Sequence, residues 1–389
     1  MRSAFEALRA AFFVALLACS SRQNAPPESP PVNEVGEVSE APESPLATPP
    51  ALEPGPSPSA PEPEVAVSDD ELAAFARASN AFALDVYGAA PAGNLVFSPA
   101  SLSLALTMTW AGARGDTARE MARVLHLEGE DAARHVAAGR ILASFNGGEA
   151  LRVVNRLYGE RGFGFDAAYL ELLRESYRAP FAPVDFAGSA EAQRVRINGD
   201  VAEFTRQRIP ELLPPGSLDE LTRLVLVNAV YFLATWEHEF DPAETRPEPF
   251  FVDGAAPGVP VSVMRQTRPF RYAEVEGAQV VELAYGDGAH SMVLVVPRER
   301  AGLAQVEGRL AEAFAARRFP RPVDLALPRW TFEGARLPLL EVLPALGMRK
   351  VFDRMAADLT GMAPASRGGD QLYVQSAFHE AFVKVDEEG

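Results

Sequence analysis

Two serines, an asparagine and a histidine are the polar side chains that stand out in the apolar parts of this sequence. Ser98 and Ser101 precede an apolar run, Asn228 interrupts another, and His379 lies near the C-terminal end. A serine and a histidine could act together as nucleophile and general base. Ser98 is followed by Pro99, however, which is typical of a helix start and not of an exposed catalytic turn. Because a buried amide without partners costs about 1–3 kcal/mol, we predict that these four residues form a buried, hydrogen-bonded network.

Other signatures of catalysis or ligand binding are missing from the sequence. It contains no G-x-S-x-G, no P-loop, no G-x-G-x-x-G after a strand and no H-E-x-x-H. The five histidines show no metal-ligand spacing, and Cys19 is the only cysteine. A net charge of −17 argues against nucleic acid, whose phosphates attract lysine and arginine. We therefore expect a protein that is not an enzyme, uses no cofactor or metal, and does not bind nucleic acid.

Residues 1–19 have the pattern of an export signal. Arg2 and Arg9 precede an apolar run that is too short to span a bilayer as a helix, and the run ends in L-L-A-C at Cys19. This ending resembles the lipobox of bacterial lipoproteins, in which the cysteine is lipidated. We expect an exported protein that is anchored to a bacterial membrane through Cys19, either in the periplasm or on the cell surface. An ordinary cleaved signal, which would release the protein outside the cell, is the alternative.

Residues 20–67 differ in composition from the rest of the chain. They contain 13 of the 33 prolines, eight glutamates, one arginine and no aromatic residue. Such a segment cannot bury apolar surface, so it predicts a disordered acidic linker between the anchor and a globular domain at residues 68–389.

Helix signals in residues 68–389 lie where the candidate residues need support. Ser68 and Ser98 each precede a helical pattern and are expected to cap it. Thr117 and Glu120 have the spacing of a capping box, which predicts that the next helix begins there. The helix that Ser98 opens is apolar nearly all round, which indicates that it is buried.

Strand signals complete the pattern. The apolar stretch from Leu224 predicts a strand buried on both faces. Phe270–Tyr272, Ala278–Ala284 and Ser291–Pro297 predict a meander, and Gln371–Asp386 alternates in a way that predicts a final strand. Helices and strands interleave without a repeat, so we expect an α+β fold in one domain.

Six segments of the globular part resemble segments of the serpin family and occur in the serpin order. They are NLVFSPASLSLALTMTWAGARGDTAREMARVLHL, LRVVNRLYGERGFGF, LLPPGSLDELTRLVLVNAVYFLATWEHEFDPAETRPEPF, SMVLVVP, VDLALPRW and LYVQSAFHEAFVKVDEEG. The resemblance implies a serpin-like fold with a central five-stranded mixed sheet, two smaller sheets and about nine helices. It assigns family sites by position: the shutter to Ser98, Ser101, Asn228 and His379, the breach to Trp236, and the reactive-loop hinge to Glu387, Glu388 and Gly389.

The resemblance also implies a function. A serpin traps a serine protease, or in some cases a cysteine protease, when the protease cleaves the reactive loop and the loop inserts into the central sheet as an extra strand. Such an inhibitor needs a target protease as partner but no catalytic residue. A serpin-fold binding or interaction protein at the bacterial cell envelope, without inhibitory activity, is the alternative.

Three departures from the serpin pattern bear on this expectation. Asp200 stands where serpins often carry tryptophan, and Pro260 stands where we expect a basic partner for the hinge glutamate. A serpin would continue past Gly389, so we expect the remaining loop and the C-terminal strands to be missing from this chain.

Overall fold

The computed structural model describes residues 68–127, 132–146, 150–251, 258–364 and 372–389. The predictions for Cys19, for the signal at 1–19 and for the linker at 20–67 lie outside the described residues. Within the described part, helices and strands interleave along the chain, and the predicted α+β class is confirmed. None of the helices described there has the length and apolar character to cross a membrane.

The described residues form nine α-helices. They are α1 (Asp69–Ala89), α2 (Pro99–Gly112), α3 (Gly115–Val124), α4 (Ala132–Phe145), α5 (Ala167–Tyr177), α6 (Phe186–Phe204), α7 (Leu303–Glu307), α8 (Leu310–Ala315) and α9 (Leu339–Leu346). Ser68 caps α1 and forms a capping box with Glu71. Ser98 caps α2, and Pro99 is its first residue, as the sequence predicts.

The predicted capping box at Thr117 and Glu120 is wrong. Helix α3 begins at Gly115, so both residues lie inside it. The hydroxyl of Thr117 accepts a hydrogen bond from the backbone N–H of Asp358 at 2.9 Å. The carboxylate of Glu120 accepts one from the backbone N–H of Arg349, also at 2.9 Å. Both side chains therefore bind a later segment of the chain and do not cap their own helix.

Ten strands are described. They are β1 (Leu151–Glu160), β2 (Phe181–Val184), β3 (Leu224–Phe232), β4 (Arg246–Phe250), β5 (Val259–Val275), β6 (Ala278–Ala284), β7 (Ser291–Pro297), β8 (Phe319–Pro328), β9 (Trp330–Arg336) and β10 (Glu380–Val385). Strand β1 pairs in parallel with β2 and antiparallel with β3, and β9 pairs antiparallel with β10. Among the described strands no ladder joins β3 to β10. The five strands of the expected central sheet therefore form a group of three and a group of two.

The remaining strands form one five-stranded sheet, in place of the two smaller sheets that the resemblance implies. Its order is β4-β5-β6-β7, with β8 along β5. The 17-residue strand β5 connects the two parts, because its beginning pairs with β4 and its end with β6. Pro260 and Pro269 do not interrupt β5, although proline has no backbone N–H to donate. Pro260 lies opposite Pro249 of β4, and Pro269 lies opposite Pro322 of β8. Because both members of each pair lack the N–H, neither pair leaves a backbone donor without an acceptor.

Helices cover both faces of the β1–β3 group. Alternate side chains of β3, such as Leu226 and Val230, pack in the core that contains α2. The intervening side chains, such as Val227 and Ala229, pack in a second core together with Ile197 of α6. The two helices therefore enclose this group of strands, which explains why β3 is apolar on both faces.

Candidate functional site

His379 meets the start of α2 in the interior of the molecule. The backbone N–H of Ser98 donates a hydrogen bond to Nε2 of His379 at 2.9 Å. Since Nε2 is the acceptor, the imidazole is neutral. Burial lowers the pKa of His379 from 6.5 to about 4, because the charged form loses its hydration. The donor is the backbone N–H of Ser98 and not its hydroxyl. His379 is therefore not placed as a general base for a Ser98 nucleophile, and the hydrogen bond is structural.

The other two residues of the predicted network lie on neighbouring elements. Ser101 is 3% exposed, and its backbone N–H donates to Oγ of Ser98 at 3.3 Å. Asn228 lies in β3 opposite Asn155 of β1. The side chain of Asn228 falls outside the described residues, so its part in the network stays a prediction.

A cavity of about 210 Å³ lies beside the first half of β3. It is lined on one side by β3 and on another by residues 372–378, which precede β10. Leu102, Leu106 and Thr109 of α2 also line it. Residues 372–379 take no part in a ladder, although the sequence predicts a strand there. The space between the two strand groups is therefore unfilled beside the first half of β3.

Trp236 lies at the opposite end of this space. Its ring stacks on Tyr285 with the centroids 4.6 Å apart, and it is 3% exposed. Its indole N–H donates to the carbonyl of Asp386 at 3.0 Å, and its backbone N–H donates to the carbonyl of Glu388 at 2.7 Å. The predicted breach and hinge residues are thus in direct contact.

Glu387 is a buried carboxylate with two partners. It is 8% exposed, accepts a hydrogen bond from the Thr245 hydroxyl at 2.7 Å, and lies 3.5 Å from Nη1 of Arg329. Pro260 offers this glutamate no charge, as the sequence indicates, and Arg329 is its basic partner instead. The sequence carries a signal for it, since Arg329 directly follows β8 in the segment VDLALPRW, but partners so distant along the chain cannot be paired from sequence alone.

Gly389 fits closely against the segment that follows β3. A Cβ atom at this position would lie 2.0 Å from the carbonyl oxygen of Ala234, which is too short for any contact between these atoms. Only glycine therefore allows the hinge to approach the backbone at this point.

Asp200 of α6 holds the helix to β1. Its carboxylate accepts a hydrogen bond from the hydroxyl of Tyr158 at 2.5 Å and lies 3.5 Å from Nη1 of Arg156. Burial and the neighbouring carboxylate raise the pKa of Tyr158 well above its usual value, so the phenol remains a donor. A polar contact thus stands where serpins often carry a tryptophan.

These features together provide no catalytic centre within the described residues. No group of three or more histidine, cysteine, aspartate or glutamate side chains there could hold a metal ion. The arrangement offers instead an unfilled space between two strand groups, with a closely packed hinge at one end and a buried polar link beside it.

Comparisons with known proteins agree with this arrangement. The family model described as "Serpin (serine protease inhibitor)" matches residues 77–389. Leukocyte elastase inhibitor from Bos taurus is 38% identical over 77% of this chain and 81% of its own length. Ipis-1 from Ixodes persulcatus is 35% identical over 79% of this chain and 84% of its own.

The fold has the same relatives among solved structures. Ovalbumin from emu (Dromaius novaehollandiae) superimposes with a TM-score of 0.76 at 29% identity, covering 81% of this chain and 87% of that protein.

Proposed function

Because the chain belongs to the serpin family, we propose that it inhibits serine proteases, with cysteine proteases as a second class of target, by inserting a cleaved loop between β3 and β10. The family description and the name of the Bos taurus relative are those of inhibitors, so the chain is not an enzyme, as predicted. Its partner is a target protease, whose active-site residue attacks the loop as it would attack a substrate.

The separation of β3 from β10 carries this proposal. Each of the two strands has a ladder partner on its outer side, β1 and β9 respectively, and the described residues place no strand between them. Strand edges that face each other in this way can accept a further strand, because the new backbone can hydrogen-bond along both of its edges. The hinge residues Glu387 and Gly389 lie at one end of the space, where an inserting strand would begin.

Insertion explains why a substrate-like reaction becomes inhibition. Attack by the protease serine or cysteine breaks a peptide bond of the loop and forms an acyl-enzyme ester or thioester, and the segment after the cleaved bond gains a free amino group. If the loop enters the sheet before water hydrolyses the acyl bond, the attached protease is carried along and its active site is distorted.

Formation of a covalent complex tests the proposal. The natural protein, expressed through the end of its gene without residues 1–19, would be mixed with trypsin, chymotrypsin, an elastase and subtilisin. We expect a denaturant-resistant band of summed mass with at least one of them, and no such band when the protease serine has been blocked beforehand. Cleavage of the protein without any such band would contradict the proposal and favour a binding or interaction protein of the serpin fold.

We also propose that the protein works at a bacterial cell envelope, exported and held to the membrane by a lipid on Cys19. The basic and apolar start, the L-L-A-C ending and the acidic linker support this location. Such a tether would hold the inhibitor where proteases from outside reach the cell.

A further inference from the structure

The cavity beside β3 has a polar end. Its volume is about 210 Å³, and three of the polar residues that line it, Ser217, Thr222 and Arg223, lie in the chain just before β3. The remainder of its lining is mostly apolar and includes Leu102 and Leu106 of α2. Apolar walls with a few polar groups at one place are typical of a site for a small molecule. This arrangement suits a ligand that is polar at one end and apolar at the other.

Arg223 places a positive charge at the polar end. Its Nη1 donates to the backbone carbonyls of Glu220 at 2.9 Å and Thr222 at 3.2 Å. The carboxylate of Asp219 accepts hydrogen bonds from the Thr222 hydroxyl at 3.1 Å and from the Gln375 amide at 3.2 Å instead of pairing with this arginine. Within the described residues, Nε and Nη2 of Arg223 therefore remain available to a carboxylate, the group that a guanidinium binds best.

Ser217 adds a polar atom that has no partner. Its Oγ is buried and forms no hydrogen bond within the part of the chain that the structure describes. Buried hydroxyl groups are normally hydrogen-bonded, so this one calls for an explanation. Because Ser217 lines the cavity, an oxygen atom of a bound ligand could accept a hydrogen bond from its hydroxyl.

The cavity opens to solvent at the same end and has a limited size. Leu221, which lines it two residues before Arg223, is 60% exposed. An apolar cavity of about 150 Å³ holds one benzene molecule, so at the same ratio 210 Å³ accommodates about eight carbon atoms. The lining residues 224–227 extend along β3 for about 10 Å, at about 3.3 Å per residue. A short alkyl chain fits both this volume and this length.

We propose that this cavity binds a medium-chain fatty acid. The carboxylate lies at the open end, where it pairs with the Arg223 guanidinium and accepts a hydrogen bond from Ser217 Oγ. The alkyl chain extends along β3 and packs against Leu102 and Leu106. Binding of this kind requires neither a protease nor an inserting strand.

Isothermal titration of the natural full-length protein with octanoate tests the site. Octan-1-ol is the uncharged comparison, and hexanoate is shorter by two methylene groups. Arg223→Gln removes the charge at the open end, and Ala105→Leu fills part of the cavity, since Ala105 of α2 lines it. Arg354→Gln is the matched control, because Arg354 is exposed and does not line the cavity. The urea midpoint of each variant reports whether it is folded.

We expect one octanoate molecule to bind, with octan-1-ol at least about ten-fold weaker because it lacks the charge-assisted hydrogen bonds. Hexanoate should also bind about ten-fold more weakly, owing to the loss of two buried methylene groups. Arg223→Gln should weaken octanoate about ten-fold and leave octan-1-ol within about two-fold of its wild-type affinity. Ala105→Leu should weaken both ligands, and Arg354→Gln should leave both unchanged.

Several results would overturn the proposal. Octanoate that bound no more tightly than octan-1-ol would remove the role of the carboxylate. Binding that neither Arg223→Gln nor Ala105→Leu altered would place the ligand elsewhere on the protein. Binding of the peptide acetyl-(Thr-Ala)₅-amide without any binding of octanoate would assign the cavity to a polypeptide strand alone.

Discussion

His379 shows how a single polar residue can be accommodated in an apolar interior. Its Nε2 accepts a hydrogen bond from the backbone of Ser98, the residue that caps α2. The N–H of a cap residue precedes the first turn and has no partner inside its own helix. The imidazole therefore accepts a hydrogen bond from an N–H group that has no partner within the helix. It can do so only while Nε2 is unprotonated, so the imidazole must be neutral.

Replacing His379 with alanine should destabilise the protein by about 1–3 kcal/mol, since the Ser98 N–H would be left buried without its acceptor. Urea denaturation measures this as a lower midpoint. His238→Ala is the matched control, because His238 is exposed, and it should leave the midpoint unchanged. Equal midpoints for the His379 variant and the wild type would show that the link contributes nothing.

The stability of the protein should depend on pH through the ionisation of His379. Its pKa is about 4 in the folded protein and about 6.5 when unfolded. Between these values the unfolded chain binds a proton that the folded protein does not, so stability is full above pH 6.5 and is lost as the pH falls towards 4. Buried His135, whose pKa is also lowered to about 4, acts in the same direction.

Glutamine at position 379 can accept the same hydrogen bond but does not titrate. We expect His379→Gln to lose about 2 kcal/mol less stability than the wild type between pH 7.5 and 4.5, as measured by urea unfolding at the two pH values. An identical loss in both proteins would mean that His379 ionises as freely in the fold as in the unfolded chain.

Residue types and local spacing predicted the helix caps at Ser68 and Ser98, but they did not predict distant partners. Ser98 followed by Pro99 indicates a helix start whatever lies around it, and the structure has one there. Thr117 and Glu120 have equally good local spacing, yet their side chains bind a segment more than 200 residues later. Arg329 was missed as the partner of Glu387 for the same reason, since local sequence does not tell which distant residues meet.

At the scale of elements, the end of the chain shows how far periodicity can mislead. The alternation from Gln371 to Asp386 predicts one continuous strand, but among the described residues 372–386 only Glu380–Val385 forms a ladder, with β9. Alternation reports which faces can be buried, whereas a strand also needs a neighbour at every residue. Residues 372–378 border the cavity, so they lack such a neighbour on the side of β3.

Gly389→Ala should loosen the hinge, because the new Cβ would lie 2.0 Å from the carbonyl oxygen of Ala234. Relief of that clash moves residues 386–389 away and weakens the two hydrogen bonds that Trp236 donates to them. Hydrogen exchange at the Trp236 backbone and indole N–H groups should become about ten-fold faster or more. The indole N–H of Trp110 donates to the carbonyl of Ala118, far from the hinge, and serves as the internal control. Unchanged exchange at Trp236 would show that the close approach of Gly389 does not hold the hinge.

At the scale of the whole molecule, the fold class was predictable because long segments in a fixed order specify far more than any single motif. The joining of the two smaller sheets through β5 could not be predicted, because the sequence of β5 contains two prolines that locally indicate breaks. Only the opposing prolines on β4 and β8 make these positions compatible with a continuous strand. The location of the protein likewise depends on residues 1–67, which lie outside the described part.

Lipidation of Cys19 is the prediction on which the proposed location depends. A basic and apolar start that ends in L-L-A-C should direct a lipid to this thiol, and the acidic linker would then separate residues 68–389 from the membrane. In a bacterial host grown with radioactive palmitate, we expect the full chain to take up label and to sediment with membranes. Cys19→Ser should lose both properties, whereas Ser21→Ala, which keeps the thiol, should retain them. A Cys19→Ser protein that remained labelled and membrane-bound would refute the anchor, because no other cysteine in the chain could carry the lipid.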